Sequence, residues 1–509
     1  MSSAKRPIEP LSGGTLVLGA LAIGMANFMM VLDTTIANVA VPTISGNLGV
    51  APDQGTWVLT SFSISLAIGL PLTGWLAQRF GQVKLFLSAV VLFVLASVCC
   101  GLAPNLTSLL VFRVFQGAVC GPLAPLSQAL LVAIFPPARR TTALVVWSMT
   151  TFLGPVCGPI LGGYLTDNIS WPWIFYINVP VGIFILLTLG QVLSGRDNPT
   201  RKLPVDVVGL LLLMVAVGSL QILLDKGQDL DWFSATPIRV LAVITVLGFA
   251  SLITWELTAQ HPILDLRLFK ERNYAIGTLS VSLGFALYFA SLVLVPLWLQ
   301  TEMGYTATWA GIATAPLGIA GVVLAPFIGR LMQHTDARVL ASMAFICWIG
   351  ASLWRMYFET NLDIQFIGWN SVLMGAGTAF LFTPLVAISL SRLPPEKIPA
   401  ALGLQNALRM TGASFAVSLG PAFWDHRARQ HQVDLAERMT PFDHWSAQAQ
   451  DNLNSLGLSA QGALESLART IDRQAHMLAL NDFSLASAWL FCAVLAIVWL
   501  ARSPKAKAK

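Results

Sequence analysis

Long apolar runs separated by short polar breaks run the length of this chain. Crossing about 30 Å of hydrocarbon takes roughly 20 consecutive apolar residues. Runs of that kind occupy 15–41, 55–77, 85–104, 107–132, 141–163, 174–193, 206–224, 238–257, 275–299, 308–330, 338–357, 365–390, 401–423 and 484–502. The pattern predicts an all-α polytopic membrane protein with fourteen spans, the pair 206–224 and 238–257 having the least sharply marked ends. The break at 424–483 is far longer than the others and is expected to form one outer loop with helix-like segments.

Composition removes the competing classes. Of 509 residues, 55% are apolar and 11% charged, against about 25% charged in a soluble domain. No low-complexity tract dominates, which sets aside disordered and collagen-like chains. The six cysteines (Cys99, Cys100, Cys120, Cys157, Cys347, Cys492) all fall in predicted spans without metal-ligand spacing. They read as small core residues. The apolar run after Lys5-Arg6 is too long for a cleavable signal, and no small-residue cleavage site follows it.

The net charge of +5 matters through its distribution. Twenty of the 30 cations lie on one face: Lys5 and Arg6; Arg79 and Lys84; Arg139 and Arg140; Arg196, Arg201 and Lys202; Arg267, Lys270 and Arg272; Arg330 and Arg338; Arg392 and Lys397; and Arg502, Lys505, Lys507 and Lys509. The short loops of the other face hold Lys226, Arg239 and Arg355, and the long loop holds five more. Short loops follow the positive-inside rule and long translocated loops are largely exempt. Both termini are therefore expected in the cytoplasm, which requires an even number of spans. Two cations remain inside helices: Arg113 and Arg409.

An internal repeat organises the spans. Gln116-Gly117-Ala118 leading to Pro136-Pro137 resembles Met374-Gly375-Ala376 leading to Pro394-Pro395, at an offset of 258. Gly154 and Gly162 fall on Gly412 and Gly420 at the same offset, and Pro71, Gly74, Leu76 and Gln78 match Pro326, Gly329, Leu331 and Gln333 with small gaps. Predicted helices 2–5 thus correspond to 10–13, giving 6+2+6. The expected division is a tail 1–14, a six-helix bundle 15–193, two extra helices with linkers 194–274, a second bundle 275–502 that includes 424–483, and a tail 503–509. Duplicated bundles with a midplane site are transporter architecture, although a duplicated bundle need not transport anything.

Ionisable side chains inside a span are costly, and are functional candidates for that reason. Asp33, Arg113 and Arg409 qualify, and Asp33 is the only acid expected deep in a span. Helix 1 is expected to end near Pro42, which places Asp33 ~13 Å below the outer surface and Arg113 ~12 Å below it. Burial favours a neutral carboxyl and a nearby cation favours a charged one. A movable Arg113 would therefore switch Asp33 between holding and releasing a proton. The competing readings are a local kink, with Asp33 bonded to Thr34, Thr35 or Asn38, and an Arg113 bonded to helix-end carbonyls or Gln116. In the repeat Arg113 falls on Ser371 and Asp33 near Leu287–Tyr288, so both charges belong to the first half. Arg409 has no acid at its depth, and snorkelling or carbonyl bonding competes with substrate contact.

Gly154-Pro155-Val156-Cys157-Gly158-Pro159-Ile160-Leu161-Gly162-Gly163 spaces small residues so that helices approach closely, with prolines that permit bending. A bendable seam between the halves and ordinary tight packing are the two readings. Leu32-Asp33-Thr34-Thr35-Ile36-Ala37-Asn38, Arg113-Val-Phe-Gln116-Gly117, this Gly/Pro segment and Trp171-Pro-Trp173-Ile-Phe-Tyr-Ile-Asn178-Val-Pro180 together resemble the major facilitator superfamily. The resemblance is to its fourteen-span drug:proton antiporters. It implies proton coupling at the helix 1 and helix 4 motifs, with Thr34, Asn38, Gln116 and Gly117 in support. It further implies export driven by the proton gradient without a cofactor, an inner-membrane location, a periplasmic adaptor resembling EmrA and an outer-membrane channel of the TolC type. The cytoplasmic loop motif around Gly74, Gln78, Arg79 and Gly81 departs from the family, which usually has Asp where Gln78 stands.

Candidate cavity residues are Trp147, Met149, Tyr288, Trp298, Gln300, Asn370, Phe380, Phe382, Gln405, Asn406 and Arg409; scattered aromatics in spans more often pack or face lipid. A largely apolar lining with one deep acid suits lipophilic, and weakly acidic, compounds better than sugars. Residues 424–483 hold His426, His431, His444 and His476 without His pairs at i, i+4, so no metal site is expected. No span pairs carboxylates, or a nucleophile with a base, so no catalytic residue is expected either. A dedicated exporter of one metabolite, lipid or siderophore and a non-transporting scaffold are the alternatives to multidrug export.

Overall fold

The computed structural model describes residues 8–503 apart from 201–203, 205, 228–229, 261, 439–447, 449–454 and 456–458. Fourteen long helices follow one another among the described residues: α1 (Gly13–Leu48), α2 (Trp57–Phe80), α3 (Gln82–Gly101), α4 (Leu106–Ile134), α5 (Arg140–Asn168), α6 (Trp173–Val192) and α7 (Val207–Lys226). The rest are α8 (Thr236–Thr258), α9 (Arg272–Thr301), α10 (Ala307–His334), α11 (Ala337–Arg355), α12 (Ile364–Leu390), α13 (Ile398–Arg438) and α14 (Ala460–Val498). Each overlaps one expected segment. Twelve are long and apolar enough to cross a membrane, and α5 makes thirteen if its two stretches, bent by 42° at the prolines, count as one span. The helix α13 carries Gln405, Asn406 and Arg409 through its expected span, and those three side chains keep it below that apolarity. The chain is a multi-pass membrane protein. The tail cations Lys5, Arg6, Lys505, Lys507 and Lys509, together with Arg201, Lys202 and His444, lie outside the described residues.

Three expectations about helix ends are corrected. Pro42 lies inside α1 rather than ending it, as Pro71, Pro296, Pro384 and Pro421 lie inside theirs. A proline removes one donor, and packed neighbours let a membrane helix continue through it. The helix α4 breaks at Gly121-Pro122 into Leu106–Cys120 and Leu123–Ile134, and α6 is interrupted at Ile177. Pro180 cannot donate to the carbonyl of Tyr176, which is where α6 loses its ladder. Finally, the flanks of the long loop are not loop: α13 and α14 run on through 424–438 and 460–483. At 1.5 Å per residue their 41 and 39 residues reach about 60 Å, twice the hydrocarbon thickness. Side chains tie the projecting parts together. Trp424 Nε1 donates to the His476 carbonyl (2.8 Å), and Asp482 accepts from Arg427 Nε (2.7 Å) and lies 2.8 Å from His431 Nε2.

Packing repeats between the first and last six helices. In the first set α1 packs on α5 and α6, α2 on α4, and α3 on α4 and α6. In the last set α9 packs on α13 and α14, α10 on α12, and α11 on α12 and α14. The two sets meet through α5 against α10 and α2 against α13, which are themselves equivalent under the repeat. Between them, α7 and α8 pack on each other, and α7 touches both α2 and α13. Thr60 on α2 donates to Asp225 Oδ2 (2.5 Å), and Ser418 on α13 donates to the carbonyl of Leu224.

Candidate functional site

Asp33, in the middle of α1, and Arg113, two turns into α4, are 1% and 0% exposed. Arg113 Nη1 lies 2.7 Å from Asp33 Oδ2. An ion pair taken out of water is costly unless further hydrogen bonds support it, and here every polar atom of the pair but Arg113 Nη2 has a partner. Asp33 Oδ1 accepts from Gln116 Nε2 (3.1 Å) and Asn178 Nδ2 (3.0 Å). Arg113 Nη1 also donates to Gln116 Oε1 (2.8 Å), and its Nε donates to the carbonyl of Val58 (3.0 Å). Ser97 Oγ on α3 accepts from Gln116 (2.8 Å) and Asn178 (3.2 Å). The faces of Phe62 and Phe175 flank the guanidinium at 4.1 and 5.5 Å, a favourable place for a cation. Five side chains from α1, α3, α4 and α6 thus form one closed network.

Gln116 belongs there because it stands three residues after Arg113, one turn along the same helix face. Gly117 beside it lets α4 meet α2; a Cβ there would fall 2.4 Å from the carbonyl of Phe62. Asn178 begins the second part of α6, just after the interruption before Pro180. The sequence marked Asn178 only as part of a family segment, and Ser97 not at all. Their signal is that an amide and a hydroxyl fall in apolar spans. Thr34 and Asn38, expected to support Asp33, do not reach it. Thr34 Oγ1 and Thr35 Oγ1 donate to carbonyls of their own helix, at Val31 and Leu32, and Asn38 is exposed. The local-kink reading of Asp33 is therefore set aside.

The Gly/Pro segment also differs from one expectation. Gly154, Gly158 and Gly162 face α1, where added Cβ atoms would fall 2.4 Å from Val31 Cγ1, 2.1 Å from Thr35 Oγ1 and 2.7 Å from the carbonyl of Ile36. They bring α5 against the helix that carries Asp33, inside the first bundle, and do not form the seam between bundles. The seam uses other faces of α5, where Val145 approaches Gly329 and Phe152 approaches Gly321. Pro155 and Gly163 are half-buried; the side chain of Pro159 lies outside those described.

At the end of the bundle bearing Gly74, α2 and α13 touch: a Cβ on Gly74 would fall 2.6 Å from Ala400 Cα. Gln78 is half-buried, and Arg79 lies over Trp75 at 5.2 Å. An acid does serve this end, from an unexpected place. The buried carboxylate of Asp197, after α6, accepts from the amides of Val83 (3.1 Å) and Lys84 (3.4 Å) in the first turn of α3. A helix N-terminus favours such an anion. Gly81, at φ +92°, must lack a side chain, because a Cβ would fall 2.2 Å from Asp197 Oδ2.

The candidate cavity residues divide. Trp147, Phe382, Gln405, Asn406 and Arg409 converge with Gln128, Val281 and Val386 around a cavity of about 10 Å³ between the bundles, room for about one water molecule. Met149 and Phe380 are half-buried and do not line it. Four others go elsewhere. Tyr288 stacks on Trp348 (5.4 Å), and Trp298 stacks on Phe358 (5.9 Å) in a separate apolar cluster. Gln300 is exposed, and Asn370 Oδ1 accepts from Arg355 Nε (2.8 Å). Phe285, absent from the expectation, lies 4.8 Å from the Arg409 guanidinium.

Besides Asp197, two charges placed in loops or overlooked prove buried. Arg355, counted among loop cations, is 3% exposed because it ends α11 and turns toward α12. Glu256, near the end of α8, is 1% exposed and accepts from the amide of Leu264 (3.0 Å), so Asp33 is not the sole buried acid. Where the end of α9 meets the projecting part of α14, Glu302, Asp472 and His476 bring ligand atoms within 4.8 Å of one another. The sequence spacing does not announce this group, since Glu302 is remote from the other two.

Comparison with known proteins agrees with this architecture. The chain is 47% identical to the multidrug export protein EmrB of Escherichia coli (strain K12), over 97% of each chain. It is 45% identical to the fatty acid resistance protein FarB of Neisseria gonorrhoeae, over 97% of this chain and 98% of that one. Among solved structures, the human organic anion transporter MFSD10 (TETRAN) shares the fold with a TM-score of 0.56 at 14% identity, covering 94% of this chain and all of that one. The model of the Major Facilitator Superfamily matches residues 23–417, and the chain belongs to that superfamily.

Proposed function

We propose that the chain is a proton-coupled antiporter that exports hydrophobic drugs and other toxic compounds across the inner membrane. The observation that carries this reading is the buried Asp33–Arg113 pair, closed by Gln116, Asn178 and Ser97. A proton arriving on Asp33 removes the charge that holds Arg113 and frees the guanidinium, which couples protonation to helix movement. The names of the relatives, multidrug export protein in particular, support export of lipophiles. The same reading takes the helices as fourteen spans in a 6+2+6 order, divided at 193–194 and 274–275, with both termini cytoplasmic. In that orientation the bundles are shut at their cytoplasmic ends, where Gly74 meets Ala400. The projecting α13–α14 hairpin is then periplasmic, and we assign it the docking of an adaptor that hands substrate to an outer-membrane channel. Shortening the chain within 430–475 should abolish adaptor capture; undiminished capture counts against that assignment.

The experiment is efflux of a fluorescent lipophile from proteoliposomes under an imposed pH gradient, comparing wild type with Asp33→Asn. The variant should lose gradient-driven transport while still binding the dye. Gradient coupling at the wild-type rate would overturn the role of Asp33. A second reading, export of one class of compound such as a lipid, is favoured by the name of FarB. A panel of unrelated substrates separates the two, because a dedicated exporter moves one class alone.

A further inference from the structure

Arg409 is the anomaly of the second bundle. It is 2% exposed, yet only Nη2 has an acceptor, Asn406 Oδ1 one turn earlier at 2.8 Å. Its Nε and Nη1 are buried and have no hydrogen-bond acceptor in the protein. Of the two other buried arginines, Arg113 has a carboxylate at 2.7 Å and leaves one buried nitrogen, Nη2, without an acceptor, while Arg355 has the amide oxygen of Asn370 and leaves none in that state; Arg409 leaves two. What surrounds Arg409 is aromatic, with Phe285, Phe382 and Trp147 at 4.8, 5.1 and 5.6 Å from the guanidinium. Ring faces attract a cation, but they accept no hydrogen bond of the strength a guanidinium makes with an anion.

The place is as telling as the charge. Arg409 borders the small cavity between bundles, with Trp147 and Gln128 contributed by the first bundle and Phe382 and Asn406 by the second. Asn406 Nδ2 reaches Gln128 Oε1 at 3.5 Å across that junction. A parting of the bundles at this junction opens the cavity that Arg409 borders. From there an apolar wall continues along α9, where Phe289 lies 5.4 Å from Phe285.

We infer that Arg409 anchors the head group of amphipathic organic anions, a carboxylate on an apolar body, at the junction of the two bundles. The inference rests on the export function proposed above and names a substrate class for it. A lipophilic cation is repelled here, and a neutral lipophile leaves the buried charge uncompensated. A carboxylate supplies the missing acceptors and the missing charge, while its hydrocarbon lies against Phe285 and Phe289. At about 10 Å³ the closed cavity admits no such molecule, so binding belongs to the state in which the bundles part.

The test is equilibrium binding of radiolabelled dodecanoate and dodecanamide to the full chain in lipid nanodiscs, with empty discs as blank and no pH gradient. Wild type should hold the carboxylate about 10–100-fold more tightly than the amide, the range expected for hydrogen bonds to a charged group. Arg409→Gln should abolish that preference with amide binding unchanged, and Arg409→Lys should restore part of it. Equal binding of the two ligands by wild type overturns the inference, and that comparison needs no variant. Equal weakening of both ligands in Arg409→Gln also overturns it, since that is what a structural role produces. Because no gradient is applied, failure here is separate from failure of proton coupling at Asp33.

Discussion

The two bundles repeat one packing scheme and treat charge in opposite ways. In the first, Asp33 and Arg113 sit in a network where the carboxylate takes three donors. In the second, the position near Leu287–Tyr288 that corresponds to Asp33 is part of an aromatic stack of Tyr288 on Trp348, with Phe491 5.1 Å from Trp348. The offset of 258 carries Arg113 onto Ser371, and the offset of 255 that holds in the preceding helices carries Ser97 onto Ser352. The buried cation on α11 is Arg355, at its end, and its partner is the neutral Asn370. The lesson is that duplication preserved the shape of the bundle while the buried carboxylate network belongs to one copy. A buried carboxylate is costly unless a full set of donors completes it, and the second bundle has no counterpart of the set formed by Arg113, Gln116 and Asn178 around Asp33 among the described residues.

That contrast breaks first at Arg113. In Arg113→Ala, Asp33 keeps its burial and loses its counter-ion, a change that costs about 3–5 kcal/mol when one partner of a buried pair is removed. The thermal midpoint should fall markedly and gradient-driven efflux should vanish. By contrast Arg409→Gln removes an uncompensated charge and should leave the thermal midpoint close to wild type. Equal losses in both variants would erase the distinction between bundles.

Asn178→Ala is the next smaller step. It deletes one hydrogen bond to a charged group, worth about 1.5–3 kcal/mol, and leaves the ion pair. Gradient-driven transport should fall about tenfold, with dye binding at equilibrium unchanged. Undiminished transport would mean that Ser97 and Gln116 hold Asp33 without it. The smallest effect is expected in the second bundle. Tyr288→Phe keeps the stack on Trp348 and removes only a hydroxyl, so coupling should change less than about twofold. Loss of coupling in that variant would place proton handling in both bundles.

Much of this was written in the order of residues. Apolar runs located all fourteen helices, because a span must be long and must satisfy its own backbone. Scarcity of charge singled out Asp33, Arg113 and Arg409, because each is expensive where it stands. Periodicity stops at the end of the apolar run, and for that reason α13 and α14 were read as ending where they become polar. Their continuation depends on bonds between the two projecting segments, such as Arg427 to Asp482. Burial of Arg355 and Glu256 was equally hidden, since each lies at a helix end and its depth is set by the next segment.

What sequence alone determined is therefore which residues cost too much to be idle. What only the tertiary structure decided is which of them have company. Asn178 and Ser97 come from α6 and α3 to complete Asp33, 145 and 64 positions away along the chain. The glycines of α5 turn to α1 and not to the other bundle. Arg409 meets three aromatic rings and no acid. Each outcome depends on which helix faces approach one another, and that is set by packing of the whole bundle, a property carried by no local stretch of residues.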